Sequence, residues 1–253
     1  MQIEIRKVAW TAGGRRLTVA AGSVTGNRYQ DNYDVVHLDP VRPLAVVADG
    51  MGEGPGSAAA GRTAVDVFVR DVPAAGAAAA LRAAVGQAQQ EVRRAARTLD
   101  ELTGCTMTAF LAEPDRPAAW LVQIGDSRAY RLRDGFLELL TVDHTVAWLG
   151  LLHGWFAADS AEARAARYRL TRYVGHPDDP DPDILNVTLR PSDVYLLCTD
   201  GVTDQLSYER LIQLLGGNPD PAGAANFLLE DTLDAGGTDN ATAVVIKVEP
   251  SGV

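Results

Sequence analysis

The hydrophobic and polar positions of this chain fall into many short segments of the kind that form β-strands. Each segment is about four to ten residues long, is apolar or alternating, and is bounded mainly by turn residues. Segments this short favour strands over buried helices. The predicted strands are Ile3–Trp10, Arg16–Ser23, Val35–Leu38, Pro43–Ala48, Cys105–Leu111, Ala118–Ile124, Ala129–Arg133, Phe136–Leu140, Ile184–Leu189, Val194–Thr199 and Ala241–Val248.

Turn residues indicate how some of these strands are connected. Thr11–Gly14 is a good turn sequence between the first two strands. Asp134 and Gly135 lie between two later strands, where a hairpin turn is expected. We therefore predict that the four strands from Cys105 to Leu140 form a meander, and that Asp134 is a turn residue.

Four segments have the composition and periodicity of helices. Ser57–Asp71 places Val65, Phe68 and Val69 on one side. Pro73 is suited to the start of a second, alanine-rich helix, because proline is tolerated in a first turn and alanine is the strongest helix former. We expect the first two helices to form a packed hairpin. The other predicted helical segments are Ala74–Leu102, Tyr208–Leu215 and Pro221–Leu233.

The stretch from about residue 145 to 183 differs from the rest of the chain. It contains a short apolar helix, Val146–Leu152, an Ala/Arg/Glu helix, Asp159–Arg167, and a Pro/Asp-rich loop, Pro177–Asp183. We interpret this stretch as a surface excursion over the core. Because the sequence shows no internal repeat and no linker, residues 1–253 are predicted to form a single domain.

The composition narrows the class of protein. Hydrophobic residues make up 47% and charged residues 22% of the chain, which fits a soluble globular protein. The net charge of −10 argues against a nucleic-acid partner. No apolar run approaches the ~20 residues of a membrane span, and Met1–Arg6 lacks the apolar core of a signal peptide. Cys105 and Cys198 are expected to be buried, reduced thiols, so we predict a cytoplasmic protein without a membrane segment.

The residues that suggest chemistry are aspartates at the ends of predicted strands. Taken singly, each could be a turn or cap residue. Taken together, and without a matching group of histidines or cysteines, they indicate a site with hard oxygen ligands. Such a site suits Mg²⁺ or Mn²⁺ better than Zn²⁺. The aspartates are Asp34, Asp49, Asp126, Asp200 and Asp239.

Three other kinds of site do not fit the sequence. The glycine-rich run Gly50–Gly56 matches neither nucleotide-binding pattern, and Pro55 removes an amide donor. Gly125–Ser127 lacks the G-x-S-x-G spacing of a nucleophile elbow. The four histidines have no ligand spacing and are expected to be surface or structural residues.

Eight motifs, in order along nearly the whole chain, resemble the metal-dependent serine/threonine protein phosphatases (type 2C, or PPM) in their compact bacterial form. The resemblance implies an α+β fold, a four-layer α-β-β-α sandwich of two antiparallel sheets flanked by helices. The motifs are Gly26–Arg28 with Asn32–Asp34, Val47–Gly52, Gly104–Thr106, Ile124–Arg131, Asp143–Thr145, Leu170–Arg172, Leu197–Asp204 and Asp239–Thr242.

The same resemblance implies roles for individual residues. The family hydrolyses phosphoserine and phosphothreonine in proteins with two Mn²⁺ or Mg²⁺ ions that activate a water for in-line attack. The substrate would be a phosphorylated protein, such as a serine/threonine kinase or one of its targets, and the enzyme is expected to be a monomer. By this resemblance, Asp49 would bridge the two ions, the Gly50 carbonyl would bind one of them, and Asp200 and Asp239 would bind the other. Asp126 would contribute to a third, weaker ion site, and Asp34 would lie close by and act through metal-bound water. Arg28 would bind the phosphate of the substrate.

Several residues depart from the family pattern. Tyr33 stands where many members carry Glu or Gln, and Asp31 could take the place of Asp34 at the metal site. Glu53 replaces the second glycine of the common DGMGG motif, and the histidine often found just beyond is missing, so His144 is a candidate stand-in as general acid. The changes at Tyr33 and Glu53 leave open a catalytically weak or inactive domain that binds a kinase or a phosphopeptide without cleaving it. A further alternative keeps the chemistry and changes only the substrate, a phosphatase dedicated to a small regulator.

The resemblance also places residues 145–183 where family members carry a flap over the active site. Substrate specificity is therefore expected to reside in this segment. Its aromatic residues Trp148, Trp155 and Phe156 could either pack the flap or contact a partner protein.

Overall fold

The computed structural model describes residues 3–97, 99 and 103–250. Within these residues the chain forms eleven strands and seven helices. The strands are β1 (Arg6–Ala12), β2 (Arg15–Val24), β3 (Val35–Leu38), β4 (Leu44–Ala48), β5 (Met107–Ala112), β6 (Ala118–Ile124), β7 (Arg128–Arg133), β8 (Phe136–Leu139), β9 (Asp183–Thr188), β10 (Val194–Cys198) and β11 (Ala241–Val248). The helices are α1 (Pro55–Asp71), α2 (Ala78–Ala96), α3 (Val146–Leu152), α4 (Ala161–Ala166), α5 (Asp200–Thr203), α6 (Tyr208–Gly217) and α7 (Pro221–Asp234).

The strands form two antiparallel sheets packed face to face. One sheet has six strands in the order β1-β2-β11-β10-β7-β8, and the other has five in the order β3-β4-β5-β6-β9. Leu17 and Ile246 of the first sheet and Phe110 and Leu121 of the second lie in one buried cluster. This cluster is the layer between the sheets, where alternate side chains of both inner faces meet.

Helices cover both outer faces of the sandwich. On the five-stranded sheet, Phe68 of α1 and Leu81 of α2 pack in a cluster with Val46. On the six-stranded sheet, Leu211 of α6 and Leu228 of α7 belong to another cluster. The predicted four-layer α-β-β-α sandwich is therefore confirmed. No helix among the described residues combines the length and apolar character needed to cross a bilayer.

The predicted four-strand meander is wrong. Strands β5 and β6 pair in the five-stranded sheet, whereas β7 and β8 pair in the six-stranded sheet. The chain changes sheets at Gly125–Ser127, between β6 and β7. Gly125 has a φ of 107°, and a Cβ there would lie 2.6 Å from the side chain of Thr106. Only glycine tolerates this backbone and this close approach, and the crossing places Asp126 between the two sheets.

The helical hairpin is confirmed, but the second helix is shorter than predicted. It begins at Ala78 rather than near Pro73 and ends at Ala96, while residues 98 and 100–102 of the predicted helix lie outside the described residues. In the connection, a Cβ at Gly76 would lie 2.1 Å from the Trp120 ring. The chain therefore passes closely over β6 before the helix starts. The predicted hairpin turn at Asp134 is confirmed, with a φ of 52°.

The excursion lies between β8 and β9 and contains α3 and α4. Thr145 and Ser160 cap these helices, because their hydroxyls accept from the main-chain N–H groups of Trp148 and Ala163. A bridge between Thr145 and Leu170 closes the segment at its base. We call residues 145–182 the flap segment.

Candidate metal centre and active site

A cavity of about 200 Å³ lies where strands of both sheets end. Asp49 follows β4, Asp126 follows β6, Asp200 follows β10 and Asp239 precedes β11. Gly50 lies beside Asp49 on the same wall. Each sheet contributes different aspartates, so the packing of the two sheets brings together residues that are far apart in the sequence. Asp49 and Asp239, for example, are 190 positions apart.

Asp34 lies half-buried beside this cavity rather than on its wall. Its Oδ2 accepts hydrogen bonds from the hydroxyls of Thr199 at 2.8 Å and Thr242 at 2.7 Å. Its Oδ1 is buried and has no hydrogen-bond partner among the described residues. Burial, with the charges of Asp200 and Asp239, raises the pKa of Asp34 to about 7.

The other carboxyls of the site are destabilised as anions in the same way. Burial raises the pKa of Asp49 well above its usual range, and the charges of Asp34 and Asp200 raise it further. Burial, with the charges of Asp204 and Asp239, raises the pKa of Asp200 to about 6. Burial also raises the pKa of Asp126 and Asp239. The protein thus holds several carboxyls where their negative charges are costly.

Nearby arginines offset only part of this cost: the charges of Arg28, Arg128 and Arg167 lower the pKa values of Asp239, Asp126 and Asp200, but burial still leaves these pKa values raised. Arg28 pairs with Glu53, Arg128 pairs with Asp143, and Arg167 of the flap segment pairs with Asp204. Within residues 3–97, 99 and 103–250, no ion pair reaches Asp34, Asp49, Asp126, Asp200 or Asp239. A bound cation would supply the rest of the compensating charge.

The donor set fits hard divalent cations. The Oδ1 atoms of Asp34 and Asp200 are buried without hydrogen-bond partners in the described part of the chain. All the acidic groups supply oxygen, which Mg²⁺ and Mn²⁺ prefer. However, no three acidic, histidine or cysteine side chains among the described residues converge on one point as a complete ligand set. Ions here would be completed by main-chain carbonyls and water, as Mg²⁺ sites usually are.

Glycines allow the strand ends to approach one another. A Cβ at Gly26 would lie 2.2 Å from the Asp239 carbonyl, and one at Gly201 would lie 1.9 Å from the Asn240 carbonyl oxygen. The Asn240 side chain accepts from the Gly26 N–H at 3.0 Å and donates to the Asp31 carbonyl at 3.2 Å. These contacts fix Asp239 beside Asp200.

Arg28 lies at the rim of the cavity and not on its wall. Its Nη2 lies 3.4 Å from Glu53 Oε1, and both side chains are largely exposed. Its guanidinium also lies over the Tyr29 ring, 5.3 Å from the centroid. Asp31, which the sequence offered as an alternative to Asp34 at the metal site, is exposed. The structure therefore brings Asp34, not Asp31, into the cluster of half-buried carboxyls.

His144 does not line the cavity. It is buried behind the Gly125–Asp126 crossing, where its Nδ1 accepts from the Gly125 N–H at 3.2 Å and its Nε2 lies 3.2 Å from Asp183. Its position does not support the role of general acid suggested by the sequence.

The sequence did not identify several residues that complete the site. Thr106 lines the cavity and accepts from the Asp49 N–H at 3.0 Å, while Tyr168 and Leu170 of the flap segment lie on the same wall. Thr199 and Thr242 hold Asp34. Four of these residues lie within the motifs that resemble the phosphatase family: Thr106, Leu170, Thr199 and Thr242. Their position in these motifs was the signal in the sequence that could have identified them as site residues.

Comparison with known proteins places this chain in a family. A model described as Protein phosphatase 2C matches residues 21–227. The serine/threonine protein phosphatase PstP of Mycobacterium tuberculosis is 33% identical over 238 residues, which are 92% of this chain and 45% of that protein. The chain thus spans less than half the length of this relative.

Two further similarities cover most of both chains. The structure of the PstP catalytic domain in complex with two manganese ions has a TM-score of 0.80 and 33% identity, covering 92% of this chain and 98% of the other. The serine/threonine phosphatase stp of Listeria monocytogenes is 25% identical over 229 residues, which are 86% of this chain and 89% of that protein. Since the family match covers most of the sequence, the expectation from the motifs is confirmed, and the chain belongs to the protein phosphatase 2C family.

Proposed function

We propose that this protein hydrolyses phosphoserine and phosphothreonine in proteins, and that it requires Mn²⁺ or Mg²⁺. The observation that carries the proposal is the cluster of half-buried carboxyls around Asp34, Asp49 and Asp200, which have raised pKa values and no ion pair among the described residues. Membership of the protein phosphatase 2C family supports the reaction type. The related PstP catalytic domain, which binds two manganese ions, supports the choice of ion.

The metal-holding roles fall to residues on the cavity wall. Asp49, Asp200, Asp239 and the Gly50 carbonyl would hold two ions, and Asp126 would contribute to a third. When bound, such ions activate a water and offset the negative charge of the phosphoryl oxygens. Gly50 is confined by close contact, because a Cβ there would lie 2.7 Å from the Ser57 carbonyl oxygen. Its main chain therefore stays where it faces the cavity.

Asp34 and Arg28 would act on water and substrate. The Oδ2 of Asp34 is held by two threonine hydroxyls, so its Oδ1 remains to accept a hydrogen bond from water in the site. Arg28 stands at the rim, where its planar guanidinium can bind two oxygens of an incoming phosphate. It must leave Glu53 to do so.

The direct test is turnover of an aryl phosphate and a phosphothreonine peptide with and without Mn²⁺. We expect hydrolysis that depends on Mn²⁺ and is lost in Asp200→Asn. Absence of Mn²⁺-dependent turnover, or full activity of Asp200→Asn, would overturn the proposal. Calorimetry that showed phosphopeptide binding without Mn²⁺ uptake would instead establish the alternative, a non-catalytic binding domain.

We further propose the setting in which this activity operates. The two buried free thiols, Cys105 and Cys198, support a cytoplasmic location. The related serine/threonine phosphatases support a kinase or its targets as partners, and a net charge of −10 supports a monomer. Light scattering at several protein concentrations would test the monomeric state.

A further inference from the structure

An open groove of about 570 Å³ separates the flap segment from the end of β8. Leu139 and Val142 lie on its strand side, and Trp148 and Leu151 of α3 lie on its helix side. These four large apolar side chains are between 38% and 45% exposed. No side chain among the described residues fills the groove, whose volume is within the ~300–1,000 Å³ range of ligand-binding clefts.

The other aromatic residues of the flap segment have partners of their own. Phe156 packs against Gly150 so closely that a Cβ at Gly150 would lie 2.0 Å from its ring. Trp155 stacks on His153 with ring centroids 5.4 Å apart, and it does not line the groove. Trp148 is therefore the aromatic residue of this segment that faces an open apolar surface. Converging apolar side chains that stay exposed are typical of interaction sites.

The groove adjoins the candidate active site across two ion pairs, Arg128–Asp143 and Arg167–Asp204. Arg128, Asp143 and Arg167 line its inner end, and the same three residues line a small cavity together with Asp126 and Asp200. A substrate segment with one residue at the metal site would cross these ion pairs to reach the groove. Because the groove lies next to the metal site, its position favours the substrate as the occupant.

We propose that this groove binds an apolar side chain of the phosphoprotein substrate, several residues away from the phosphorylated one. The inference rests on the proposed function. A second copy of this chain is the less suitable occupant, because each copy carries a net charge of −10 and like charges oppose association. An extended substrate segment is bound by main-chain contacts and gains its specificity from pockets for individual side chains.

The test compares peptides that differ only in one apolar residue. A set of phosphothreonine peptides carries a single leucine or phenylalanine at successive positions on either side of the phosphorylated residue, in a background of alanine and serine. The quantity measured is the ratio of kcat/KM with and without the apolar residue. We expect the protein to favour the apolar residue by about tenfold at one or two positions, mainly through KM, since a buried aromatic or aliphatic anchor is a typical hot spot.

Matched variants assign this preference to the groove. Trp148→Ala and Leu151→Ala are expected to bring the ratio close to one. Trp155→Ala and Leu152→Ala alter residues of the same types that lie outside the groove and are more exposed, and they are expected to retain the preference of the original protein. Because each ratio is taken within one variant, a general loss of activity cancels.

Several outcomes would overturn the inference. These are the absence of any apolar preference, an equal loss in the two outside variants, and a dimer in light scattering that dissociates in Leu151→Ala. The proposed function fails separately, if the unaltered protein shows no Mn²⁺-dependent turnover of an aryl phosphate, which is too small to reach the groove.

Discussion

His144 and Gly125 are joined by a reciprocal pair of hydrogen bonds. The Gly125 N–H donates to His144 Nδ1 at 3.2 Å, and the His144 N–H donates to the Gly125 carbonyl at 2.9 Å. The Gln123 side chain donates to the same carbonyl at 2.5 Å. Both main-chain polar groups of Gly125 are thus held by hydrogen bonds from the side away from the cavity. These bonds also fix the main-chain orientation of the next residue, Asp126.

We predict that His144→Ala weakens the site through Asp126. The Mn²⁺ concentration at half-maximal rate should rise by about tenfold, because residues that orient metal ligands typically contribute 10–100-fold to affinity or activity. The shape of the pH–rate profile should not change, since the imidazole does not face the cavity. His144→Asn, whose Oδ1 can replace Nδ1 as acceptor, should recover part of the loss. A missing limb in the pH profile of His144→Ala would show instead that the imidazole transfers a proton.

The contact between Arg28 and Glu53 leads to a prediction about substrate binding. An incoming phosphate must displace Glu53, so Glu53→Gln should lower KM for phosphopeptides by about two- to fivefold, as expected for an exposed ion pair. The difference should shrink at high salt, which screens exposed charges. Asp66→Asn, which removes an exposed charge from α1, is the control and should leave KM unchanged. An increase in KM for Glu53→Gln would contradict this competition.

The local sequence pattern predicted the strands and the main helices of the fold, but not the connection between β6 and β7. Period and turn residues identified Val35–Leu38, Ala118–Ile124 and Ala241–Val248 with the bounds the structure shows. The same pattern could not show that β6 and β7 belong to different sheets, because an apolar strand fits either one. Helix α5 was missed because its four residues, Asp200–Thr203, are too few for a helical period.

The candidate site was readable only in part. Strand-end aspartates were visible because a carboxylate after an apolar run is unusual. The choice between Asp31 and Asp34 was not visible, since it depends on Thr199 and Thr242, which lie far away in sequence. The flap residues Tyr168 and Leu170 carry no local signal for the cavity wall that they form.

Asp49 and Asp134 allow a matched comparison of a site carboxylate with a turn carboxylate. Asp49→Asn should lower kcat by more than about a hundredfold, because indirect changes around a metal ligand already cost 10–100-fold. Asp134→Asn should leave kcat unchanged, since asparagine tolerates the φ of 52° in this hairpin. Thermal unfolding in the absence of metal checks that both variants fold. Activity in Asp49→Asn comparable to that of Asp134→Asn would remove Asp49 from the mechanism.

The raised carboxyl pKa values predict an unusual pH dependence of the metal-free protein. Burial raises the pKa of Asp34 to about 7 and that of Asp200 to about 6, whereas an aspartate in an unfolded chain has a pKa of about 3.9. Between these values the folded state holds protons that the unfolded state has released. The free energy of unfolding therefore contains a favourable contribution at low pH that is lost as the pH rises through about 4 to 7.

This loss should be reversed by a divalent cation and reduced by removing one charge. Mn²⁺ binds deprotonated carboxylates, so it should raise the unfolding temperature more at pH 7.5 than at pH 5. Without metal, Asp34→Asn should gain stability relative to the original protein as the pH rises from 5 to 7.5. Burial lowers the pKa values of His37 and His144, and this makes the free energy of unfolding rise with pH. The contribution of these two histidines is the same in both proteins, so it cancels when the stabilities are subtracted. Thermal unfolding in chelator at both pH values measures the effect, and a difference that does not grow with pH would show that Asp34 is ionised at little cost.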